Sequence, residues 1–252
     1  MANTMLVCAM GDIHGRQYLE LVQGSKQELA ACDLVLIAGD ITEANDIELC
    51  GQILSVIREM TDADIVAVFG NEEYDSAHAE YRERFRIAFL EEEVADLRFD
   101  DLKLRVVGST GSLDRPTWWQ RTNVPDIWTR YKDRLAKVSS LLDKGDADVL
   151  ILLMHYAPTY ATLEGEKPSS YPEMGSTAFE SLMLERRPDL VLHAHAHRGK
   201  KSALLIKKQR SLEDYGAKGS EVHVHNVSLP AVGKPSFFEI RGDLSGVCIR
   251  EM

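Results

Sequence analysis

Three histidines lie within five positions in the stretch VLHAHAHRG, residues 191–199: His193, His195 and His197. If this stretch is a β-strand, alternate side chains point to one face, so the imidazoles lie side by side. Neutral imidazole is the commonest metal ligand in proteins, and such a cluster favours a metal site. The alternative is a solvated strand that carries the histidines by chance, and the rest of the chain has to decide between the two.

Other side chains that bind divalent metals follow short apolar runs. The runs and the residues that follow them are TMLVCAM (4–10) with Asp12 and His14, DLVLIA (33–38) with Asp40, DIVAVF (64–69) with Asn71, DVLILLM (148–154) with His155, and DLVL (189–192) with His195 and His197. Runs rich in Val, Ile and Leu predict strands that are buried on both faces. Ligands in open α/β sheets bind beyond the carboxyl ends of the strands, so these side chains are expected to meet. Each motif alone is weak, but five in order favour a metal site over chance.

The chemistry of this residue set favours two ions. Mixed carboxylate, amide and imidazole ligands suit Mn, Fe, Co, Ni or Zn, and the absence of cysteine from the set disfavours a closed structural zinc site. Seven candidate ligands exceed what one ion with an open position needs, so two ions that share a carboxylate fit better. Two such ions can clamp a phosphate and generate a hydroxide nucleophile at neutral pH.

The elements that must position these residues alternate along the first two-thirds of the chain. Helices are predicted between the apolar runs at 16–31, 46–60 and 176–187, with Asp46 as a helix cap. Alternating strands and helices predict a layered α/β sheet. The tail predicts consecutive strands in an antiparallel portion, at 202–208, 221–229, 236–242 and 246–251. No internal repeat or linker is evident, so residues 1–252 are expected to form one domain.

The segment 109–145 stands apart because it holds all the tryptophans of the chain, which are Trp118, Trp119 and Trp128. A helix is predicted over 125–144. One interpretation is a surface helix whose tryptophans pack against the core. A second is a cap or insertion whose aromatic side chains, with Arg115 or Arg121, shape a substrate pocket. A third is a surface for a homo-oligomer.

Composition excludes several function classes. The chain has 252 residues, 44% hydrophobic and 27% charged, which is typical of a globular protein with a sizeable core. The net charge of −11 disfavours tight binding of long nucleic acid. No run reaches the length of a membrane span, and the amino-terminal run is too short for a signal peptide. Four cysteines without a CxxC pair predict a reducing, cytoplasmic setting.

Five motifs carry a resemblance to a known family, in the order GDIHG (11–15), GD (39–40), GN (70–71), His155 and AHAH (194–197). This ordered set resembles the metallophosphoesterase superfamily, the calcineurin-like phosphoesterases, whose pattern is D-x-H, G-D, G-N-H-(D/E), H and G-H-x-H. The resemblance spans roughly residues 5–230. It implies a four-layer α/β sandwich, in which two packed mixed β-sheets are flanked by α-helices.

The resemblance also implies the distribution of ligands between two ions. Asp12, His14, Asp40 and His197 would hold one ion, and the other would be held by Asp40, Asn71, His155 and His195. Asp40 would bridge the ions, among which manganese is favoured. His193 falls before the motif and is expected to be structural. Ala194 stands where the family usually has glycine.

The implied activity is hydrolysis of phosphate esters by a hydroxide that bridges the two metals, with Asp40, Asn71 and Glu72 as catalytic residues. Glu72 is the main departure, because the family usually places a histidine there that protonates the leaving oxygen. Losing a general acid slows a reaction roughly 10²–10⁴-fold without abolishing it. Small phosphodiesters with good leaving groups are therefore favoured over monoesters, with Glu72 as a candidate acid. The alternatives are a non-catalytic metal-binding scaffold of the same fold and a nuclease.

The expected partner is a small phosphate-ester substrate. Arg16 lies at the start of the first predicted helix, from where it could reach a phosphate oxygen. Arg115 and Trp118 complete the predicted substrate-binding residues, because a tryptophan could stack on a base. A solvated arginine and core tryptophans are the alternatives.

Overall fold

The computed structural model describes residues 3–206, 221–243 and 246–252, and within these ranges twelve strands form two six-stranded sheets. The strands of the first sheet are, in spatial order, β12 (Gly246–Glu251), β11 (Ser236–Asp243), β1 (Asn3–Met10), β2 (Leu34–Ile37), β3 (Asp64–Val68) and β4 (Ala88–Leu90). Those of the second are β5 (Glu93–Phe99), β6 (Leu102–Ser109), β7 (Val149–Met154), β8 (Leu190–His193), β10 (Glu221–Asn226) and β9 (Ser202–Ile206).

Both sheets are mixed. Strands β1 to β4 are parallel, and β11 and β12 extend that sheet with antiparallel pairing. In the second sheet β6, β7, β8 and β10 are parallel, while β5 and β9 pair antiparallel at the two edges. The carboxyl ends of the parallel strands in each sheet therefore lie at one edge, where loops can carry a site.

The main core lies between the sheets and is built from alternate residues of their strands. Val7 and Leu36 of the first sheet and Ile151 and Leu192 of the second are fully buried in one cluster. Fully burying a side chain of this size stabilises the fold by about 1.5–3 kcal/mol. The sheets are thus held face to face.

Helices cover the outer faces of the sheets. The described helices are α1 (Leu19–Gln23), α2 (Lys26–Leu29), α3 (Ile47–Arg58), α4 (His78–Arg84), α5 (Trp118–Asn123), α6 (Ile127–Leu141), α7 (Thr177–Arg186) and α8 (Leu229–Val232), with short 3₁₀ helices at Asp75–Ala77 and Pro168–Glu173. Helices α1 to α4 pack on the first sheet. Val138 of α6 and Phe179 of α7 pack on the second. The result is the predicted four-layer sandwich.

Several predicted elements differ in detail. The helix expected over 16–31 is two short helices, α1 and α2, because Gly24 and Ser25 have low helix propensity and interrupt it. The tail does not form a separate antiparallel portion, since β10 pairs parallel with β8 and β11 joins the first sheet. Strand β9 ends at Ile206 in the described part, and residues 207 and 208 of that predicted strand lie outside the described residues.

Predictions about a helix cap, membrane spans and the cysteines can be compared with the structure. Asp46 caps α3, where its side chain accepts a hydrogen bond from the backbone N–H of Leu49 at 2.9 Å. Across the described ranges, no helix combines the length and the apolar character needed to span a bilayer. Cys8, Cys32 and Cys50 are buried free thiols, and Cys248 is an exposed one.

Candidate metal centre

The predicted ligands all lie just beyond the carboxyl ends of parallel strands. In chain order, the strands and their ligands are β1 with Asp12 and His14, β2 with Asp40, β3 with Asn71, β7 with His155, and β8 with His195 and His197. Backbone hydrogen bonds join loops across the two sheets, for example from Gly11 N, after β1, to Val227 O, after β10, at 3.0 Å. The sandwich therefore brings loops of both sheets together at one edge.

Two clusters of metal-binding atoms form there. The first contains Asp12, His14 and His197, and the second contains Asp40, His155 and His195; in each cluster the ligand atoms lie within 4.8 Å of one another. In the first cluster, the Nε2 atoms of His14 and His197 are 3.3 Å apart. His197 Nε2 lies 3.5 Å from Asp12 Oδ2.

Asp40 lies between the two clusters. Its Oδ2 is 3.5 Å from His155 Nε2 and 4.0 Å from His14 Nε2, so one oxygen approaches a histidine of each cluster. Asn71 joins the second cluster, because its Oδ1 lies 3.0 Å from His155 Nε2. The structure thus brings together all seven side chains that the sequence predicted as ligands.

The chemistry of this donor set fits divalent cations. Asp12 Oδ1 is buried and has no hydrogen-bond partner among the residues that the structure describes, and a buried carboxylate oxygen in that state is costly. Burial, with the neighbouring carboxylates of Glu73 and Asp12, raises the pKa of Asp40 well above its usual range. Cations bound at the two clusters would supply the positive charge that these buried carboxylates lack.

The histidines of the second cluster are in the form that binds metal. Burial lowers the pKa of His195 to about 3. Burial also lowers the pKa of His155. His155 Nδ1 lies 2.8 Å from Ala38 O, so an N–H on Nδ1 donates to that carbonyl and leaves the Nε2 lone pair for a ligand. Imidazoles must be neutral to coordinate a metal.

The loop backbone is strained at four of the predicted ligands. Asp12, His14, Asp40 and His195 have φ angles of 53°, 47°, 50° and 66°. This left-handed region suits glycine, and a non-glycine residue there costs on the order of 1–3 kcal/mol. Asp and His tolerate it better than most residues. Sequence patterns did not predict this conformation, although it fixes the directions of the ligand side chains.

Glu73 organises the two loops that carry Asp40 and Asn71, and the sequence reasoning missed it. Its buried carboxylate accepts backbone hydrogen bonds, at 2.7–3.1 Å, from Asp40, Ile41, Thr42 and Gly70. The sequence contains a signal for the importance of Glu73, because this residue occupies the acidic position of the family pattern G-N-H-(D/E).

Glu72, predicted as a catalytic residue, contacts Asn71 and the loop after Asp40. Its backbone N–H donates to Asp40 Oδ1 at 2.9 Å. Its Oε2 accepts from Ala44 N at 2.7 Å, and its Oε1 accepts from Asn71 Nδ2 at 3.2 Å. The last bond turns the amide oxygen of Asn71 towards His155.

The three predicted substrate-binding residues are not brought together. Arg16 donates to Gln52 Oε1 at 3.0 Å. Arg115 pairs with Glu173 at 3.1 Å. Trp118 is 69% exposed and does not line the cavity beside Asn71, which Trp119 lines instead.

Two further expectations concern tryptophans and His193. All three tryptophans are more than half exposed, so the interpretation that they pack against the core is wrong. Their positions on α5 and α6 leave the indoles at the surface. His193 is buried as expected for a structural residue: its Nε2 lies 2.8 Å from Thr162 Oγ1 and its Nδ1 2.7 Å from Ala194 O.

Comparisons with known proteins agree with this geometry. A family model described as calcineurin-like phosphoesterase matches residues 5–199. The fold is similar to a putative 5'-nucleotidase from Staphylococcus aureus, with TM-score 0.57, 13% identity, and coverage of 98% of this chain and 53% of that one. It is also similar to a purple acid phosphatase from yellow lupin seeds, with TM-score 0.57, 14% identity, and coverage of 100% and 52%.

A Thermus thermophilus protein matches over 98% of this chain and 99% of its own length, with TM-score 0.53 and 18% identity. At these identities the likeness shows the fold alone. The chain spans about half the length of the nucleotidase and of the phosphatase. No curated protein matches it.

Proposed function

The chain belongs to the calcineurin-like phosphoesterase family, and we propose that it is a metal-dependent hydrolase that prefers small phosphodiesters. One observation carries the proposal: Asp40 Oδ2 lies within 4.0 Å of histidines from two separate ligand clusters. Such an arrangement suits two cations that share a carboxylate. Two neighbouring cations can bind and activate a phosphate ester, which is the substrate class that the family description names.

The proposed ligands are divided between two cations in the same way as between the two clusters. Asp12, His14 and His197 hold one cation, Asn71, His155 and His195 hold the other, and Asp40 contributes to both. Mixed oxygen and imidazole donors suit Mn, Fe, Co, Ni or Zn, and manganese is the metal that we propose among these. When bound, the cations supply positive charge for the phosphate and lower the pKa of a water molecule so that it can act as a nucleophile.

The chain's own residues keep the site ready for this chemistry. Ala38 O orients the imidazole of His155, and Glu72 orients the amide of Asn71. N–H groups donate to both oxygens of the Glu72 side chain, which fixes the carboxylate beside Asn71. The preference for diesters follows from the residue at position 72, since a good leaving group needs less protonation.

A non-catalytic scaffold is the second candidate, and the absence of the family histidine at position 72 favours it. The buried oxygen of Asp12 and the raised pKa of Asp40 favour bound cations for either candidate, because buried acidic groups without cations destabilise a fold. We rank the enzyme first because all seven predicted ligands of a two-cation centre are present. The net charge of −11 ranks a nuclease below both.

The test compares hydrolysis of bis(p-nitrophenyl) phosphate with that of p-nitrophenyl phosphate by protein stripped of metal and reloaded with Mn²⁺. We expect diester cleavage that needs Mn²⁺ and that Asp40→Asn abolishes. Asp62→Asn, a change of an exposed aspartate outside both clusters, is the matched control and should retain the activity. Two bound Mn²⁺ without hydrolysis of either ester would support the scaffold instead.

We further propose that the protein works in the cytoplasm and that residues 1–252 form one domain. Free cysteines support a reducing compartment. A single core to which both sheets contribute supports one domain. The far-ultraviolet circular dichroism spectrum should be the same whether or not the protein is expressed and kept at low redox potential. Limited proteolysis should release no stable fragment of about half the chain.

A further inference from the structure

A cavity of about 360 Å³ is lined by Asn71 of the candidate metal centre. Helices α5 and α6 form one wall and the loop after β3 forms another. Trp119, Gln120 and Tyr131 lie on the helical wall, and Tyr156 lies next to the ligand His155. A volume in this range is typical of small-molecule sites. We call it the Trp119 cavity.

Four aromatic side chains line the Trp119 cavity, namely Tyr74, Trp119, Tyr131 and Tyr156. Tyr131 and Tyr156 are buried, and Trp119 is 58% exposed, so its indole can be covered by a ligand. The ring of Tyr156 also lies 4.9 Å from the ring of the proposed ligand His195, which places the aromatic wall directly against the metal centre.

A rigid polar bridge holds the two tyrosines. Gln120 Nε2 donates to Tyr156 Oη at 3.1 Å, and Tyr131 Oη donates to Gln120 Oε1 at 3.0 Å. Gln120 is itself fixed, because it completes a capping box with Thr117 at the start of α5. The cavity is therefore preorganised, which lowers the entropic cost of binding.

The charged side chains that line the Trp119 cavity are paired with protein groups. Arg130 pairs with Asp75 at 2.8 Å, and Arg134 pairs with Glu92 at 2.9 Å. The carboxylate of Glu73 is occupied by backbone N–H groups. These walls therefore favour an uncharged group over a second phosphate.

We propose that the Trp119 cavity binds a flat, uncharged aromatic ring of the ester, such as an aryl group or a nucleobase, by stacking on Trp119. Asn71 belongs both to the cavity wall and to the second ligand cluster, so a ring in the cavity and a phosphate at that cluster fit one small ester. This inference rests on the proposed function, since it names the organic group of the same substrate. It assigns to Trp119 the role that the sequence predicted for Trp118.

The experiment uses two phosphonates, which have no ester bond to hydrolyse. They differ only in the group on phosphorus, which is an aromatic ring in one and a methyl group in the other. Phenylphosphonate and methylphosphonate are titrated into the Mn²⁺-loaded protein by calorimetry. We expect phenylphosphonate to bind about tenfold more tightly, as stacking on one aromatic side chain predicts. Trp119→Ala should abolish this preference. Trp128→Ala, which removes an equally exposed tryptophan outside the cavity, should keep it.

Fluorescence gives a second readout because the chain has only three tryptophans. In a Trp118→Phe/Trp128→Phe variant, the emission of Trp119 should change with phenylphosphonate and not with methylphosphonate. In a Trp119→Phe/Trp128→Phe variant, the emission of Trp118 should not change. Melting curves confirm that the variants are folded.

Equal binding of the two phosphonates to the wild type, or a ring preference that survives Trp119→Ala, would overturn this inference alone. Failure of both phosphonates to bind, together with no diester hydrolysis, would overturn the proposed function as well. If Trp119 emission changed with protein concentration and not with phenylphosphonate, the exposed tryptophans would form a contact between copies of the chain, and the ring site would be rejected.

Discussion

The buried carboxylate of Glu73 accepts the backbone N–H of Asp40 at 2.9 Å and so ties the loop after β2 to the loop after β3. Its other oxygen accepts from Ile41 at 2.7 Å and from Thr42 at 3.1 Å. These loops carry the carboxylate and the amide of two predicted metal ligands. A residue that contacts no proposed cation thereby determines where both ligands lie.

Glu73→Gln tests this link. The amide has one acceptor oxygen in place of two, so at least one backbone N–H would face an NH₂ group. We expect the free energy of unfolding to fall by about 1–3 kcal/mol, the cost of an unsatisfied buried polar group. Denaturation in urea measures it, and Mn²⁺ affinity should fall as well. Glu83→Gln, an exposed change on α4, should alter neither quantity. Unchanged stability of Glu73→Gln would show that the loops are held by other contacts.

Glu72→Gln separates two roles of Glu72. If the side chain positions Asn71, losing one acceptor oxygen should weaken Mn²⁺ binding at the second cluster about tenfold, as is typical when a group that orients a metal ligand is lost. The pH profile of diester hydrolysis should keep its shape. If Glu72 is the general acid, the basic limb of that profile should disappear while Mn²⁺ affinity stays the same. Glu43→Gln removes a nearby exposed charge and controls for electrostatics.

Gly11 has no room for a side chain because of Ala194. A Cβ at Gly11 would lie 2.5 Å from the Cβ of Ala194 and 3.1 Å from that of Ala38. Gly11→Ala should therefore destabilise the protein by about 1–3 kcal/mol, the usual cost of overpacking a core. Ala194→Gly should recover part of this loss in the double variant. Denaturation of all four proteins gives the coupling energy, and a coupling near zero would show that the two sites relax independently.

His78 and Glu91 form a pH-dependent pair at the end of the first sheet. Burial lowers the pKa of His78, but the hydrogen bond to Glu91, at 3.2 Å, and its charge outweigh this, so the net pKa is raised. The same hydrogen bond lowers the pKa of Glu91. The pair therefore stabilises the fold fully between about pH 4.5 and 6.5, where both groups are charged in the folded state and the usual pKa values bound the window.

Above about pH 6.5 the contribution of His78 should decline as pH rises through its raised pKa. The difference in unfolding free energy between wild type and Glu91→Gln should thus be larger at pH 6 than at pH 9. Denaturation at both values measures this difference. Glu93→Gln removes a different partner of Arg82 and should show no such change. A difference independent of pH would mean that His78 stays neutral.

The ligand set could be predicted from sequence because each ligand follows a continuous apolar run. Val149–Met154, for example, is buried at every position, and the next residue is His155. Runs of this kind identify central strands, and the carboxyl ends of central parallel strands meet. The fold class follows from the same runs and from their alternation with helices.

Strands β5 and β6 and the surface aromatics could not be predicted in this way. Strand β5 alternates between exposed and half-buried residues, with Asp96 and Arg98 on its length, and so lacks a continuous apolar run. Strand β6 carries Lys103 and Arg105 between its apolar positions. Which of two adjacent tryptophans faces a cavity depends on the rotation of the six-residue helix α5, and a helix so short has no apolar periodicity to reveal it.

The left-handed backbone at Asp12, His14, Asp40 and His195 has a consequence for how such a chain changes over generations. Glycine would fit each of these positions with less strain, so the acidic and imidazole side chains persist there only while they are used. In a duplicated copy released from selection, replacements by glycine should be favoured at these four sites. That copy would lose backbone strain together with its ligands, so the loops would determine which replacements accumulate first.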